Sequence, residues 1–245
     1  MSDKKPPIIP DRAKIPTKER SASAAVDAFV RQARALAKPR TQAEGAGRLI
    51  LALDATMSRQ PTWDLACTLQ AEMFDAVAKA GGLQVQLVYF RGFGECRASR
   101  FVRETDDLKQ LMVKIDCRGG HTQIGKVLSH ALKEAGASRI AAVVYIGDAM
   151  EEHIDSLAEK AGRLGLLGVP VFLFQEGRDR DAEGAFKEIA RLTRGAWFRF
   201  DRDAASTLAR LLASVAVLAT GGLKALEARN RPEDRLMIEH LSGRR

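Results

Sequence analysis

The sequence predicts an α/β protein with a doubly wound, mostly parallel sheet of six strands, helices on both faces and one short antiparallel edge strand. Short apolar runs alternate with stretches in which apolar residues recur at helical spacing along most of the chain. Several of these runs contain no alternating polar residues, which is typical of strands buried on both faces of a parallel sheet. Together these observations favour a Rossmann-like layering of helices on a central sheet.

The strands are predicted at residues 48–53, 84–91, 95–103, 141–147, 169–175 and 196–200. The helices are predicted at about 61–80, 105–115, 124–132, 153–167, 181–193 and 204–220. The run at 95–103 interleaves Arg and Ser, and such charges protect an exposed edge from pairing with another chain, so this is the predicted edge strand. Gly195 is expected to end the helix at 181–193, and Gly221-Gly222 to interrupt the last helix, which can resume to Arg229.

The chain divides into four predicted segments. Residues 1–20 form a basic, proline-rich tail that is expected to be disordered, and residues 21–46 hold an amphipathic helix and a linker. Residues 47–220 form the α/β domain, and residues 221–245 form a helical extension and a charged tail. A chain of 245 residues is long enough to bury one large core.

The net charge of +8 lies mostly in the two ends of the chain. Residues 1–46 hold ten Lys and Arg against five Asp and Glu, and residues 224–245 hold six against four. The segment between them is nearly neutral, whereas a nucleic-acid-binding domain carries a basic stripe on its folded surface. The charge distribution therefore disfavours nucleic acid as the partner.

The location expected from the sequence is the cytoplasm. The first residues lack the apolar core of a secretion signal, and no apolar stretch is expected to span a membrane. The three cysteines, Cys67, Cys96 and Cys117, are odd in number and widely spaced, so they form no disulfide framework.

Oxygen-bearing side chains follow the first buried strand directly. Asp54, Thr56 and Ser58 come where that strand ends, which is the edge at which open α/β sheets bind their ligands. Hard oxygen donors select Mg²⁺, Mn²⁺ or Ca²⁺. Three donors do not saturate such an ion, and the further candidates are Thr122 in a glycine-rich loop and Asp148 at the end of a second buried strand.

These three pieces resemble the von Willebrand factor A (VWA) domain and its metal-ion-dependent adhesion site, whose pattern is D-x-S-x-S, a later Thr and a later Asp. Thr56 replaces the first Ser of the motif, and Met57 stands where many relatives have glycine. The resemblance implies that Asp54, Ser58 and their partners hold the ion, with the hydroxyls in direct contact and the acids often acting through water. It also implies a protein partner whose Asp or Glu completes the coordination sphere.

The residues beside the predicted ligands have two interpretations each. Glu151 and Glu152 are either a solvated helix start or extra ligands at the rim of the site, and His121 is either an exposed loop residue or part of that rim. The Thr122 hydroxyl can cap the following helix, bind the ion, or do both.

The function expected is a metal-dependent adaptor or assembly factor without catalysis of its own. The chain contains no GxxxxGK[ST] loop and no GxSxG elbow. One alternative is a Mg²⁺-dependent phosphohydrolase of the haloacid dehalogenase type, which needs D-x-D where this chain has Thr56. Another is an RNA- or membrane-associated VWA protein that uses its basic tails, although no aromatic residue precedes Phe29.

Overall fold

The computed structural model describes residues 47–60, 63, 83–103, 105–200 and 205–242. All of them belong to one compact unit, Arg40–Arg245. The predicted tail at 1–20, the predicted helix and linker at 21–46 and most of the predicted helix at 61–80 lie outside the described residues.

The described residues form a six-stranded sheet in the order β3-β2-β1-β4-β5-β6. The strands are β1 (Gly47–Asp54), β2 (Leu83–Arg91), β3 (Glu95–Val102), β4 (Ala142–Gly147), β5 (Val171–Glu176) and β6 (Ala196–Phe200). Every pairing is parallel except that of β2 with the edge strand β3, which is antiparallel. The fold class predicted from the sequence is confirmed, and each strand begins and ends within two residues of its predicted position.

The helices of the described residues are α1 (Thr105–Val113), α2 (Ile124–Ala137), α3 (Ile154–Leu166), α4 (Arg180–Thr193), α5 (Ala205–Arg229) and α6 (Pro232–Ser242). A short 3-10 helix, Met57–Arg59, follows β1. The helix α2 runs five residues further than its apolar spacing suggested, to Ala137.

The core lies on both faces of the sheet because successive side chains of a strand point to opposite faces. Leu51 of β1 packs in one apolar cluster with Val215 of α5 and Met237 of α6. Its neighbour Ala52 packs in a second cluster with Phe186 of α4. Because both faces are covered by helices, β1 carries no alternating polar residues.

The end of α4 differs from the prediction that Gly195 terminates it. Arg194 takes the left-handed conformation at the helix end, with a φ of 55°, although this position usually favours glycine. Gly195 is needed for another reason: a Cβ atom there would lie 1.8 Å from the carbonyl oxygen of Val171. The glycine therefore lets the start of β6 approach β5.

The C-terminal extension is part of the folded core. The helix α5 is kinked at Gly222, where the sequence predicted an interruption, and continues to Arg229. Leu226 of α5 and Met237 of α6 are both fully buried. Residues 221–242 thus add a helical hairpin to the face that β1 shares with α5.

One helix among the described residues, Ala209–Arg229, is apolar and long enough by composition alone to cross a membrane, which the sequence analysis did not expect. Core helices of soluble proteins pass the same test, so this is weak evidence for a membrane span. In the structure, Val215 and Ala216 of this helix are buried in the cluster that contains Leu51. Packing on the sheet accounts for part of its apolar character, since 29% of its apolar window is buried.

Candidate metal centre

The register of the parallel strands brings three strand ends to one edge. Leu53 of β1 lies beside Ile146 of β4, and Gly147 of β4 lies beside Gln175 of β5. Asp54 and Asp148 therefore leave neighbouring strands at the same edge. The two acids that the sequence assigned to one site are brought together in this way.

Asp54 is fully buried at the end of β1. Its Oδ1 accepts a hydrogen bond of 2.8 Å from the backbone N–H of Thr56, which turns the chain away from the sheet. Its Oδ2 is buried and has no hydrogen-bond partner within the described residues. Buried polar atoms are normally hydrogen-bonded, so this oxygen is a candidate ligand atom.

Thr56 and Ser58 follow on the same loop, and their hydroxyl oxygens are 3.0 Å apart. The loop is held from the other side because Arg118 donates its backbone N–H to the carbonyl of Ala55 at 3.0 Å, and Thr56 forms an isolated parallel bridge with Arg118. The segment that leads to Thr122 thus runs beside the Asp54 loop.

Thr122 is buried and pairs with Glu151 of the loop after β4. Its hydroxyl oxygen accepts from the backbone N–H of Glu151 at 2.9 Å, and its own N–H donates to Glu151 Oε2 at 2.9 Å. Of the alternatives for Thr122, capping of α2 does not occur, because Gln123 occupies the N-cap position of that helix. The hydroxyl joins two loops and keeps a second lone pair for another interaction.

Glu152 caps the N-terminus of α2, although it lies 28 residues after Ile124 in the chain. Its carboxylate accepts from the N–H groups of Ile124 and Gly125, the latter at 2.9 Å, and a carboxylate at a helix N-terminus is favourable. Glu151 is exposed, as the interpretation of a solvated acid expected, but α3 begins only at Ile154. Both acids also accept hydrogen bonds from the backbone of the loop and helix at 122–125.

Asp148 follows β4, and its Oδ1 is likewise buried without a hydrogen-bond partner in the part of the chain described. Gly147, which directly precedes this acid, is required by packing, because a Cβ atom there would lie 2.5 Å from the hydroxyl oxygen of Tyr145. Tyr145 is buried beneath the site and requires glycine at that position.

The electrostatics of the site reflect burial of like charges. Burial raises the pKa of Asp54 to about 6. The hydrogen bonds from Thr56 lower this pKa, the charge of Asp148 raises it further, and the charge of Arg59 lowers it. A cation placed between Asp54 and Asp148 would stabilise both carboxylates in their ionised form.

Two charged residues of this edge were missed by the sequence analysis. Arg59 is buried and forms an ion pair with Glu176, the last residue of β5. The signals available in the sequence were an arginine directly after the D-x-T-x-S motif and an apolar strand that ends in Gln175-Glu176. Neither signal shows that the two side chains meet.

The outer rim of the edge carries exposed side chains. His121 is exposed, as one interpretation of the sequence expected, and its ring packs edge-on against Phe93 with 5.3 Å between ring centroids. Its Nδ1 lies 3.3 Å from Glu151 Oε1. Phe93 is 83% exposed and Met57 is 54% exposed, so apolar surface is available beside the strand ends.

The donor set suits a hard divalent cation. Two carboxylates and the hydroxyls of Thr56, Ser58 and Thr122 supply oxygen atoms only, which Mg²⁺, Mn²⁺ and Ca²⁺ prefer. No group of three or more His, Cys, Asp or Glu side chains that could hold a metal occurs within the described residues, so a cation here would depend on the hydroxyl groups. The unpartnered atoms of Asp54 and Asp148 are consistent with such a cation.

Comparison with solved structures identifies the fold. The chain resembles a von Willebrand factor type A protein from Catenulispora acidiphila (TM-score 0.56, 14% identity, 71% of this chain and 43% of that one). It also resembles the SpRpn10 VWA domain (TM-score 0.55, 13% identity, 72% of this chain and 98% of that one). A third similar structure is proximal thread matrix protein 1 from the mussel byssus with a zinc-occupied MIDAS motif (TM-score 0.57, 20% identity, 71% of this chain and 48% of that one).

The fold of this chain is therefore that of a VWA domain. The chain spans less than half of the Catenulispora and mussel proteins, and these identities relate folds rather than functions. No family model and no curated protein matches the sequence.

Proposed function

We propose that this chain is a metal-dependent VWA module that binds a partner protein. Asp54, Thr56, Ser58, Thr122 and Asp148 hold a divalent cation, Mg²⁺ or else Mn²⁺ or Ca²⁺, at the edge of the sheet. The observation that carries this proposal is the pair of buried oxygen atoms, Asp54 Oδ2 and Asp148 Oδ1, that lack partners among the described residues at adjacent strand ends.

The ion serves to bind a carboxylate of the partner. With only two carboxylates among its five proposed ligands, a divalent ion stays electrophilic and favours one more anionic oxygen, which an Asp or Glu of the partner supplies. The exposed side chains of Phe93 and Met57 support this role, because aromatic residues and Met are enriched in protein interfaces. The mussel protein named above supports the metal, since its MIDAS motif holds zinc.

The module is proposed to act in the cytoplasm and without catalysis. Cys96 and Cys117 are free thiols, which suits a reducing compartment. A phosphohydrolase is not favoured: such an enzyme needs a second acid at position 56, where Thr56 instead shares a hydrogen bond with Ser58.

Calorimetric titration of Mg²⁺ and Mn²⁺ tests the metal site, with Asp148→Asn as the isosteric control. We expect the wild type to bind and the variant to lose most of its affinity. A pull-down with and without EDTA then tests the partner, because capture should require both the ion and Asp148. Equal binding of the ion by both proteins would overturn the assignment of this ligand.

A further inference from the structure

The Arg59 side chain extends past the C-terminal end of β4, the strand that Asp148 follows. It follows the β1 loop, and its ion-pair partner Glu176 closes β5. β4 lies between β1 and β5, and Gly147 of β4 is level with Gln175 of β5. A side chain that leaves the β1 side and reaches Glu176 must therefore pass the end of β4, where Asp148 follows Gly147.

The guanidinium is a permanent charge in this buried position. The Arg59 side chain is 2% exposed, and an arginine does not lose its proton in proteins. A buried charge is tolerated only when it is paired. Glu176 supplies one partner, and both Asp54 and Asp148 attract the guanidinium electrostatically.

The charges at the edge can be counted from these residues. With Asp54, Asp148 and Glu176 ionised, Arg59 reduces their summed charge from −3 to −2, so it supplies one of the positive charges that a metal ion would otherwise have to provide. Bringing a divalent cation to the two aspartates places it near this guanidinium, and like charges in a buried site repel strongly. The same residue that stabilises the aspartates without a metal thus opposes the metal.

We propose that Arg59 is a built-in cation that competes with the divalent ion for the Asp54–Asp148 pair. This inference rests on the proposed function and concerns the regulation of that site. Arg59 keeps the edge of the sheet folded without a metal and lowers the affinity for the ion. Tight metal binding then depends on the extra negative charge that a partner's carboxylate brings.

The test compares the full chain with Arg59→Met and Arg59→Lys by calorimetric titration of Mg²⁺. Methionine keeps the apolar length of the side chain and removes its charge, so we expect about tenfold tighter binding of Mg²⁺ than in the wild type. Lysine is a weaker replacement, because it lacks the planar guanidinium and loses its proton more readily when buried, so we expect its affinity for Mg²⁺ to lie between those of the wild type and Arg59→Met. Thermal unfolding supplies a second readout: in EDTA the Tm of Arg59→Met should fall, and Mg²⁺ should restore more of it than in the wild type.

Glu176→Gln provides a test that does not depend on the folding of Arg59→Met. It leaves Arg59 with Asp54 and Asp148 as its anionic neighbours, so Mg²⁺ should bind several-fold more weakly than in the wild type. Unchanged Mg²⁺ affinity in both Arg59→Met and Glu176→Gln overturns the inference, whereas the proposed function stands if Asp148→Asn still abolishes binding. If no protein of the set binds Mg²⁺ or Mn²⁺, the proposed function fails, and the inference fails with it. Binding by Arg59→Met alone supports both.

Discussion

Thr122 and Glu151 form a reciprocal pair in which each backbone N–H donates to the other's side chain, both at 2.9 Å. The pair joins the glycine-rich loop before α2 to the loop after β4. Thr122 is a proposed ligand, and Asp148 lies three residues before Glu151. The pair therefore holds the loop that carries Thr122 in place beside the loop that carries Asp148. One hydroxyl group therefore has a structural role in addition to its proposed role as a ligand.

Replacing Thr122 separates these roles. Thr122→Val removes the hydroxyl and leaves the Glu151 N–H without its acceptor, so we expect a loss of about 1–2 kcal/mol in the free energy of unfolding and loss of Mg²⁺ binding. Thr122→Ser keeps the hydroxyl and should retain both properties. Urea denaturation and calorimetry measure the two effects, and a Thr122→Val protein that binds Mg²⁺ like the wild type would remove this residue from the ligand set.

Gly147 and Tyr145 offer a paired test of packing beneath the site. Gly147→Ala places a Cβ atom against the Tyr145 ring and hydroxyl, and we expect it to destabilise the protein by about 1–3 kcal/mol. Tyr145→Phe removes a hydroxyl that has no hydrogen-bond partner among the described residues, so alone it should be nearly neutral or stabilising.

The double variant Gly147→Ala/Tyr145→Phe should recover part of the lost stability, because the nearest atom that the new Cβ meets is gone. Denaturant unfolding of all four proteins gives the coupling energy between the two positions. Strictly additive effects would show that the contact is relieved in some other way.

Asp54 is expected to oppose stability in the absence of metal. Its carboxylate is buried with one oxygen unpartnered within the described residues, and the charge of Arg59 compensates only partly for this burial, since the pKa of Asp54 stays raised to about 6. Asp54→Asn should therefore raise the Tm measured in EDTA and abolish the further increase that Mg²⁺ gives to the wild type. Differential scanning calorimetry measures the Tm, and Asp155→Asn, which replaces an exposed acid of α3, is the matched control. A lower Tm for Asp54→Asn in EDTA would contradict the expectation.

The C-terminal hairpin should make stability depend on pH. Asp234 is buried; burial raises its pKa, but hydrogen bonds from Arg229 and Ser214 outweigh burial, and the pKa is lowered from its ordinary value of 3.8. A lowered pKa means that the folded state binds the proton less well than the unfolded chain. The contribution of Asp234 is thus present above about pH 4 and is lost as the pH falls below 3.8.

Asp234→Asn should cost about 2 kcal/mol in the free energy of unfolding at pH 7, and the difference from the wild type should shrink below pH 4. Glu239→Gln, which replaces an exposed acid of the same helix α6, is the matched control and should change the free energy of unfolding by less than about 0.5 kcal/mol. Urea unfolding at a series of pH values measures both. A difference that stays constant down to pH 3 would exclude this network as its source.

The sequence predicted what depends on local pattern and strand direction. The apolar run before Asp54 and the one before Asp148 indicated buried parallel strands, and parallel strands place their ends at one edge. The ion pair of Arg59 with Glu176 was not predictable in this way, because it joins residues that are far apart in the chain. The capping of α2 by Glu152 was missed for the same reason.

Local rules also failed where tertiary contacts decide the conformation. Arg194 rather than Gly195 takes the left-handed position after α4, since Gly195 is required for close approach to Val171. Thr122 has the residue type of a helix cap but is held by Glu151 instead. In both places a residue suited to a turn is used for contact with a distant strand or loop.

The parallel pairing of β1 with β4 sets the relative positions of the backbone at Asp54 and Asp148. Neighbouring strands are about 4.8 Å apart in any sheet, and Leu53 and Ile146, just before the strand ends, are completely packed. The spacing of the two strand ends from which the aspartates extend is therefore set by the backbone of the sheet. If the proposed residues hold an ion, its selection by radius depends on the loop that carries the hydroxyl groups. Substitutions at Thr56 and Ser58 are then the way to change the ion preference without disturbing the sheet.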